Sequence, residues 1–336
     1  MTDLRPLAMA LILAAPAAAL AQATTADHLR ASPAPSLPLS TALDDLSDWS
    51  SYNRAGWRAI SRGWYDTAEH EFLAAIRAAR RPRIDDPRLL ARSYADYAWA
   101  IQKQGRYAEA EPMARWALAT REANFPPGSL PVTQSLNQLA TLFSEQGRPA
   151  EAEPLLRRAL ASQEKSPEAD STEQARTRTL LALLMVDQRR YAEAEPLFLR
   201  AIRLREGALG SSHPETGDAV GNLAWDYHAQ GKDDLARPLF ERALTIFERS
   251  RGPGDPSVAR VLDGLARILD AKGDRDEAEA RYSRAVAIWD AVAPAGDREK
   301  SEVLGRCADL LGRMGRAAEA GKIRARAVAP RARPSG

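Results

Sequence analysis

The chain has 336 residues, of which 45% are hydrophobic and 27% are charged, and these are the proportions of an ordinary globular protein. Such a composition excludes a chain that is mainly disordered. The formal net charge is only +2, and arginine alternates with glutamate along the whole chain, so the sequence does not predict a basic face for nucleic acid.

The first 23 residues have the pattern of a secretory signal peptide. Arg5 lies in a short polar start, an apolar run extends from Leu7 to Leu20, and Ala21-Gln22-Ala23 forms a typical cleavage site. A membrane anchor is the alternative, but Pro16 interrupts the run, which is shorter than the roughly 20 residues that span a bilayer. We therefore expect an exported protein, periplasmic or secreted, with no membrane span after cleavage.

The rest of the chain divides into a linker, a long repeat array and a tail. Residues 24–47 contain several prolines among alanine and serine, which predicts an extended linker. Residues 330–336 are predicted to form a disordered tail. Everything between them, residues 48–329, follows one repeating pattern.

A single phrase recurs along this array. It reads QGRYAEAEP from Gln104, QGRPAEAEP from Gln146 and QRRYAEAEP from Gln188, which is a step of 42 residues each time. Four weaker copies keep the same register, and they start at Arg62, Gln230, Lys272 and Met314. Such a period is typical of a solenoid, in which each unit buries its apolar face against its neighbours.

Each of the seven units is predicted to contain two helices, A and B. In helix B an alanine recurs from Ala68 to Ala320, and a second alanine follows seven positions later in each copy. In helix A a small residue recurs, at Gly56, Ala98, Ala140, Ala182, Ala224, Ala266 and Ala308. Small residues at fixed positions let helices approach closely while larger ones fill the gaps. The sequence thus predicts an all-α solenoid of seven antiparallel helix pairs.

Two further series refine this pattern. The turn from helix A to helix B carries a glycine in every copy but one, where Arg189 replaces it. A larger apolar residue precedes the small residue of helix A in most copies, and Cys307 falls at that position in the last copy. Cys307 is the only cysteine, so the chain cannot form an intramolecular disulfide, and we expect this side chain in the core.

The small-large-small spacing with a glycine turn resembles the tetratricopeptide repeat. The 42-residue period, the phrase QRRYAEAEPLFLRAI (188–202) and the segment GALGSSHPETGDAVGNLAWDYHAQG (207–231) resemble the kinesin light chain variety, here in a bacterial exported form. The resemblance implies a right-handed superhelix whose concave groove is lined by helix A. It also implies a scaffold that binds a peptide or protein.

The resemblance also points to candidate residues for partner binding. The residue after the small position of helix A faces the groove in this family, and the positions shortly before it carry amides that hold an extended peptide. We therefore predict a partner-binding site of Asn53, Arg54, Trp57, Asp96, Trp99, Asn137, Gln138, Asn222 and Trp225. Arg267 occupies the tryptophan position of the sixth copy. An alternative interpretation is that the tryptophans pack against the next helix A.

The sequence carries no motif for catalysis, metal binding or a cofactor. Its four histidines, His28, His70, His213 and His228, are not spaced as ligands on one helix. The paired glutamates of the repeated phrase stand two positions apart on a helix, point in different directions and cannot act as an acid–base pair. We therefore predict a scaffold and no enzyme. The alternative is an assembly protein that stacks through its terminal repeats without a groove ligand.

Overall fold

The structure is a computed structural model that describes residues 39–81, 84, 86–166, 170–292 and 297–328, with side chains described from residue 46 onward. The predicted signal peptide and the predicted tail, 330–336, lie outside the described residues. So does most of the predicted linker. The described residues belong to two compact units, one up to Leu184 and one from Met185.

Fourteen α-helices and no strand make up the described residues, as the repeat pattern predicts. The first unit contains α1 (Leu39–Ile60), α2 (Tyr65–Ala79), α3 (Pro87–Lys103), α4 (Tyr107–Asn124), α5 (Leu130–Glu145), α6 (Pro149–Glu164) and most of α7 (Ser171–Asp187). The second unit contains α8 (Tyr191–Leu209), α9 (Pro214–Ala229), α10 (Asp233–Ser250), α11 (Pro256–Lys272), α12 (Arg275–Val292), α13 (Arg298–Arg313) and α14 (Ala317–Val328). Odd-numbered helices are the predicted helices A, and even-numbered helices are the predicted helices B.

Helix α1 begins earlier than the predicted start of the array at residue 48. It starts at Leu39, directly after Pro38, so residues 39–47 of the predicted linker are helical. The next proline or glycine along the chain is Gly56, and nothing before it interrupts a helix that starts after Pro38.

The helices are arranged in two layers within each unit. From α1 to α6 and from α8 to α14, consecutive helices pack against each other, and α1 also contacts α3, α3 contacts α5, and α9 contacts α11. Odd-numbered helices therefore form one layer, and even-numbered helices cover them. No helix in the described residues combines the length and the apolar character needed to cross a membrane.

Several odd-numbered helices begin with a capping side chain and a proline. Asp86 accepts a hydrogen bond from the Arg88 backbone N–H at the start of α3, and Asp255 accepts one from the Ser257 N–H at the start of α11. Proline follows directly in both helices, where its missing N–H costs nothing. These caps help to fix where α3 and α11 begin after their loops.

The core is built from the recurring small and large residues. Every alanine of the first helix B series is buried, from Ala68 to Ala320. In five of the seven copies a large side chain four residues later is also fully buried, as in Phe72 and Phe240. A Cβ added to Gly56 would lie 2.4 Å from the Phe72 ring, and one added to Gly264 would lie 2.6 Å from the Phe240 ring. Glycine at these two positions therefore lets a phenyl ring touch the backbone of helix A.

Cys307 lies in this core, as predicted. Its side chain is 2% exposed, and burial raises the pKa of its thiol. The residues at the same position of earlier copies, from Tyr97 to Leu265, are buried too. The thiol therefore serves as a small apolar group.

The paired glutamates of the repeated phrase bind arginines at the A–B turns. Arg148 contacts Glu151 of its own helix at 2.6 Å and Glu111 of the preceding helix B at 2.5 Å. Arg106 does the same with Glu109, at 2.8 Å, and with Glu69, at 2.6 Å. In the last copy Arg316 bridges Glu319 and Glu279. We call each such arrangement a turn clamp, and each joins one repeat to the next.

One clamp position has its charges reversed. The fifth copy has Arg237 where the first four copies and the sixth have the second glutamate. The sixth copy has Asp274 where the second, third, fourth and seventh copies have the turn arginine. The Glu241 carboxylate raises the pKa of Arg237, and the charges of Glu277 and, more weakly, of Asp274 act in the same direction. The fifth copy thus carries a positive charge where a clamp has a carboxylate, and the sixth copy carries a negative charge where a clamp has an arginine.

The A–B turns need a residue with positive φ. Glycine supplies it in six copies, and Arg189 adopts φ 59° in the remaining one. The Arg189 N–H donates to the Val186 carbonyl and the Arg190 N–H to the Met185 carbonyl, the same bonding that Gly147 and Arg148 show in their turn. A side chain in this conformation is strained by about 1 to 2 kcal/mol.

Replacing Arg189 with glycine should therefore stabilise the protein. We expect the Arg189→Gly variant to gain about 0.5 to 1 kcal/mol, because relief of the strain exceeds the added freedom of the unfolded chain. The reciprocal variant, Gly147→Ala, should lose about 1 kcal/mol, since a Cβ there meets no atom within 4 Å and only the backbone is strained. Urea unfolding measures both, and equal midpoints for the wild type and Arg189→Gly would contradict the assignment of strain.

Candidate functional site

The predicted partner-binding residues lie on odd-numbered helices, and most of them are buried. Arg54 is exposed, and Trp57 and Trp225 are half-buried. The other six have side chains with at most 5% exposure, and they are Asn53, Asp96, Trp99, Asn137, Gln138 and Asn222. Direct contact with a partner is therefore open to fewer of these residues than the repeat register predicts.

Asp96 is the centre of the polar contacts between α1 and α3. Its carboxylate accepts a hydrogen bond from the Asn53 side-chain amide and another from Trp57 Nε1, the latter at 3.1 Å. Arg92, one turn earlier on α3, has its Nε 3.9 Å from the same carboxylate. The Asn53 amide, predicted to hold a peptide, thus holds the neighbouring helix.

Burial dominates the protonation of Asp96. It raises the pKa of this carboxyl to about 7, although the hydrogen bonds from Asn53 and Trp57 and the charges of Arg92 and Arg121 favour the ionised form. The side chain has no solvent exposure, so the ionised form loses its hydration.

The tryptophans of α1 and α3 pack against each other. The Trp57 and Trp99 rings are 5.7 Å apart, and Trp57 also meets the Phe72 ring at 5.6 Å. Trp99 is 5% exposed, and the Lys103 ammonium lies 5.3 Å from its ring. Trp99 therefore has the inter-repeat packing of the alternative interpretation, whereas Trp57 keeps part of its surface open.

The two amides of α5 are also used within the chain. Asn137 Nδ2 donates to Glu173 at 2.6 Å and to Thr177 at 2.9 Å, both on α7. Gln138 Nε2 donates to the Ala95 carbonyl of α3 at 3.2 Å. These two side chains therefore connect α5 to the odd-numbered helices on both sides.

Asn222 and Trp225 differ from the residues of the first unit. Asn222 is 2% exposed, yet neither its Nδ2 nor its Oδ1 has a hydrogen-bond partner among the described residues. Trp225 Nε1 also lacks a partner. The Trp225 ring meets the Phe240 ring edge-on at 5.0 Å, and the Arg267 guanidinium lies 5.3 Å from its centre. This part of α9 and α11 thus holds buried polar groups to which no side chain or backbone group in the described part of the chain is hydrogen-bonded.

Sequence reasoning did not single out a series of arginines on the odd-numbered helices. Arg92, with a side chain 55% exposed, and Arg260, with 22%, stand at the same register on α3 and α11. Arg176 occupies that register on α7, so an arginine recurs there at every second repeat. That recurrence was the available signal. It is weaker than the alanine series because the intervening copies carry other polar residues.

The titration of Asp96 should make stability depend on pH in a defined direction. Between about pH 4 and about pH 7 the unfolded chain loses the Asp96 proton while the folded chain keeps it, so the contribution of Asp96 is fully present below pH ~4 and is lost as the pH rises to about 7. Relative to Asp96→Asn, the wild type should lose up to about 1.4 kcal/mol per pH unit in this window. Urea unfolding of both proteins from pH 4.5 to 8 measures the difference, and parallel profiles would show that Asp96 does not titrate there.

No group of three or more His, Cys, Asp or Glu side chains within the described ranges is placed to hold a metal ion. His228 instead pairs with Asp233, whose Oδ1 lies 2.6 Å from its Nδ1. Burial lowers the pKa of His228.

Comparisons with known proteins agree with this architecture. A family model described as tetratricopeptide repeat matches residues 131–207, 173–249 and 227–291, and a second model of the same description matches residues 90–129. A search among curated proteins finds no match.

Several solved structures share the fold. BtubC (BKLC) from P. vanneervenii is 22% identical over 69% of this chain and 94% of its own, with a TM-score of 0.54. A putative kinesin light chain of Podosopora anserina with nearly identical TPR-like repeats is 25% identical over 62% and 96%, with a TM-score of 0.48. Aspartyl phosphate phosphatase F from Bacillus subtilis is 12% identical over 87% and 94%, with a TM-score of 0.54.

The fold is thus that of a protein–protein interaction scaffold, typically non-catalytic, and proteins that have it generally bind other proteins. The family models together match more than half of the residues, and the helix pairs and buried alanines follow the same period. The chain belongs to the tetratricopeptide-repeat family.

Proposed function

We propose that this protein is an exported scaffold that binds a segment of another protein along its layer of odd-numbered helices. One observation supports this most directly. Each unit presents a half-buried tryptophan with arginine beside it, Trp57 one turn from the exposed Arg54, and Trp225 under Arg267. Tryptophan and arginine are the residue types that most often dominate binding energy at protein interfaces.

The buried candidates have a supporting role in this proposal. Asn53 and Asp96 join α1 to α3, and Asn137 and Gln138 join α5 to its neighbours. Trp99 fills the space beneath Trp57. These contacts hold the odd-numbered helices at a fixed spacing, and a preorganised surface loses less entropy when it binds a partner.

Export belongs to the proposal as well. The charged start, the apolar run and the A-x-A site of residues 1–23 support secretion, with cleavage after Ala23. N-terminal sequencing of the exported protein tests it, and a mature chain that still begins at Met1 would contradict it. The proposal assigns the chain no enzymatic activity and no cofactor.

Assembly through terminal repeats is the alternative function. The last helix, α14, argues against it, because Lys322, Arg324 and Arg326 are exposed there and Arg324 forms an ion pair with Asp309. Charged residues on the final repeat are typical of a cap that meets water. Oligomers that grow with concentration in solution would favour assembly over partner binding.

Truncating the half-buried tryptophans should weaken partner capture. The mature chain is used as bait on the exported fraction, and its captured partner is then titrated against variants. Trp57→Ala and Trp225→Ala should each weaken binding by tenfold or more, since a truncated interface anchor costs about 2 kcal/mol or more. Trp99→Ala should mainly lower stability, by about 3 to 5 kcal/mol, because Trp99 is buried.

Trp116→Ala is the matched control. Trp116 is 41% exposed but lies on α4, an even-numbered helix, where its ring contacts Tyr94. The Trp116→Ala variant should therefore bind the partner with the affinity of the wild type. If Trp116→Ala weakens capture as much as the other two variants, or if those two bind normally while remaining folded, the odd-numbered layer is not the binding surface.

A further inference from the structure

A face of α1 that the later helices A bury is exposed and charged in the first repeat. Leu89 and Leu90 of α3 pack against a core cluster formed by α1 and α2. Ser47 and Asp48 stand at the same register of α1, and both are exposed. Arg58 is exposed as well. The residues at its position in the six later copies have at most 3% exposure, and they are Ala100, Leu142, Leu184, Asp226, Ile268 and Leu310. This edge of the array therefore lacks the apolar surface against which another helix would pack.

Three arginines follow one another along this face at intervals of four residues. Arg54 and Arg58 lie on the last turns of α1 and Arg62 lies in the turn after it, and all three are exposed. Residues four apart on a helix are neighbours on its surface, so the three charges form one stripe about 12 Å long. None of them forms an ion pair within the described residues, whereas Asp48 at the same edge is paired with Arg81 at 2.9 Å. An anion from outside the described chain can therefore contact the whole stripe.

Trp64 stands at the end of the stripe. It occupies the position at which Arg106 and Arg148 form turn clamps in the next two copies. The Trp64 side chain is 55% exposed, and the Arg62 guanidinium lies 5.0 Å from the centre of its ring. Tryptophan is enriched where proteins meet the membrane–water interface. We call the three arginines and Trp64 the N-terminal basic edge.

A second copy of the chain does not fit the N-terminal basic edge. The helix at the other end of the array, α14, has Gly321 where α12 has the clamp glutamate Glu279, and Lys322 and Arg324 are exposed beside it. End-to-end contact of two copies would therefore oppose like charges. A helix of another protein would find no apolar contact surface here either. A bilayer with anionic headgroups needs no such surface, and it presents many phosphates in one plane.

We propose that the N-terminal basic edge binds the surface of an anionic phospholipid bilayer. Arg54, Arg58 and Arg62 donate to headgroup phosphates, for which the planar guanidinium is well suited. Trp64 enters the headgroup layer beside them. The contact is peripheral and reversible, and it places the scaffold and the partner that it captures beside a membrane. This inference goes beyond the proposed function and does not depend on the identity of the partner.

Sedimentation with lipid vesicles tests the N-terminal basic edge. The mature chain, residues 24–336, is mixed with vesicles of phosphatidylcholine alone or of phosphatidylcholine with about 30% phosphatidylglycerol. Binding should be at least about tenfold stronger to the vesicles that contain phosphatidylglycerol. It should weaken as NaCl rises from about 0.05 to about 0.5 M, because salt screens the contact between the arginines and the headgroups.

Two double variants separate this edge from the net charge of the chain. Arg58→Gln with Arg62→Gln should weaken binding to anionic vesicles about tenfold or more. Arg200→Gln with Arg203→Gln is the matched control, because both arginines are exposed on α8 and form no ion pair within the described residues. The control removes the same charge and should bind the vesicles with wild-type affinity. Trp64→Ala should weaken binding severalfold, and all these variants should keep the unfolding midpoint of the wild type, since they change exposed side chains.

Several results would overturn the proposal. They are equal binding to the two kinds of vesicle, equal losses in the two double variants, or no binding at about 1 mM lipid. Soluble poly-L-glutamate is the second probe. If the mature chain binds poly-L-glutamate through Arg58 and Arg62 but does not bind the anionic vesicles, the edge receives an acidic protein segment and the lipid proposal is wrong.

Discussion

The structure depends on one repeated contact, in which a small residue of helix A meets a large side chain of helix B. At Gly56 the phenyl ring of Phe72, on the following helix, occupies the space of a Cβ, and at Gly264 the ring of Phe240, on the preceding helix, does the same. In the second to seventh copies the recurring small residue of helix A is a fully buried alanine. Close packing of this kind leaves no room for a larger residue, so the distance between the two layers is set at every step. The surface of the odd-numbered helices can be regular only because this spacing is constant.

Charged and polar side chains add further contacts between repeats to this apolar packing. The turn clamps join several repeats to the next through an arginine that touches two glutamates, so these carboxylates are paired and not simply solvated. Within the layer of odd-numbered helices, the hydrogen bonds from Asn53 and Trp57 to Asp96 likewise join one repeat to the next. Neighbouring repeats thus contact each other by apolar packing, by ion pairs at the turns and by buried polar bonds.

The period of the sequence predicted the fold, the helix pairs and the burial of Cys307, because these follow from which positions repeat. It did not predict the environment of each polar side chain. Arg54, Asp96, Gln138 and Asn222 share one register, yet the first is exposed, the second is bonded from α1, the third bonds a backbone carbonyl and the fourth has no partner. These differences depend on which hydrogen-bonding groups the neighbouring helix places beside each side chain. The repeat register alone does not contain that information. The early start of α1 was missed for a similar reason, since it depends on the absence of helix breakers before Gly56 and not on the repeat.

The charge reversal at Arg237 and Asp274 restricts which repeats can be neighbours. If all clamps had the same charges, the repeats could stand in any order. Here, loss of the unit that contains α11 and α12 would place Arg237 against Arg316, and a duplicate of the third unit after the fifth would place it against a copy of Arg148. Both junctions oppose like charges where the other copies pair unlike ones. A rearrangement that separates the fifth and sixth repeats would thus create this repulsion, and the unsatisfied groups of α9 and α11 lie within the same two repeats.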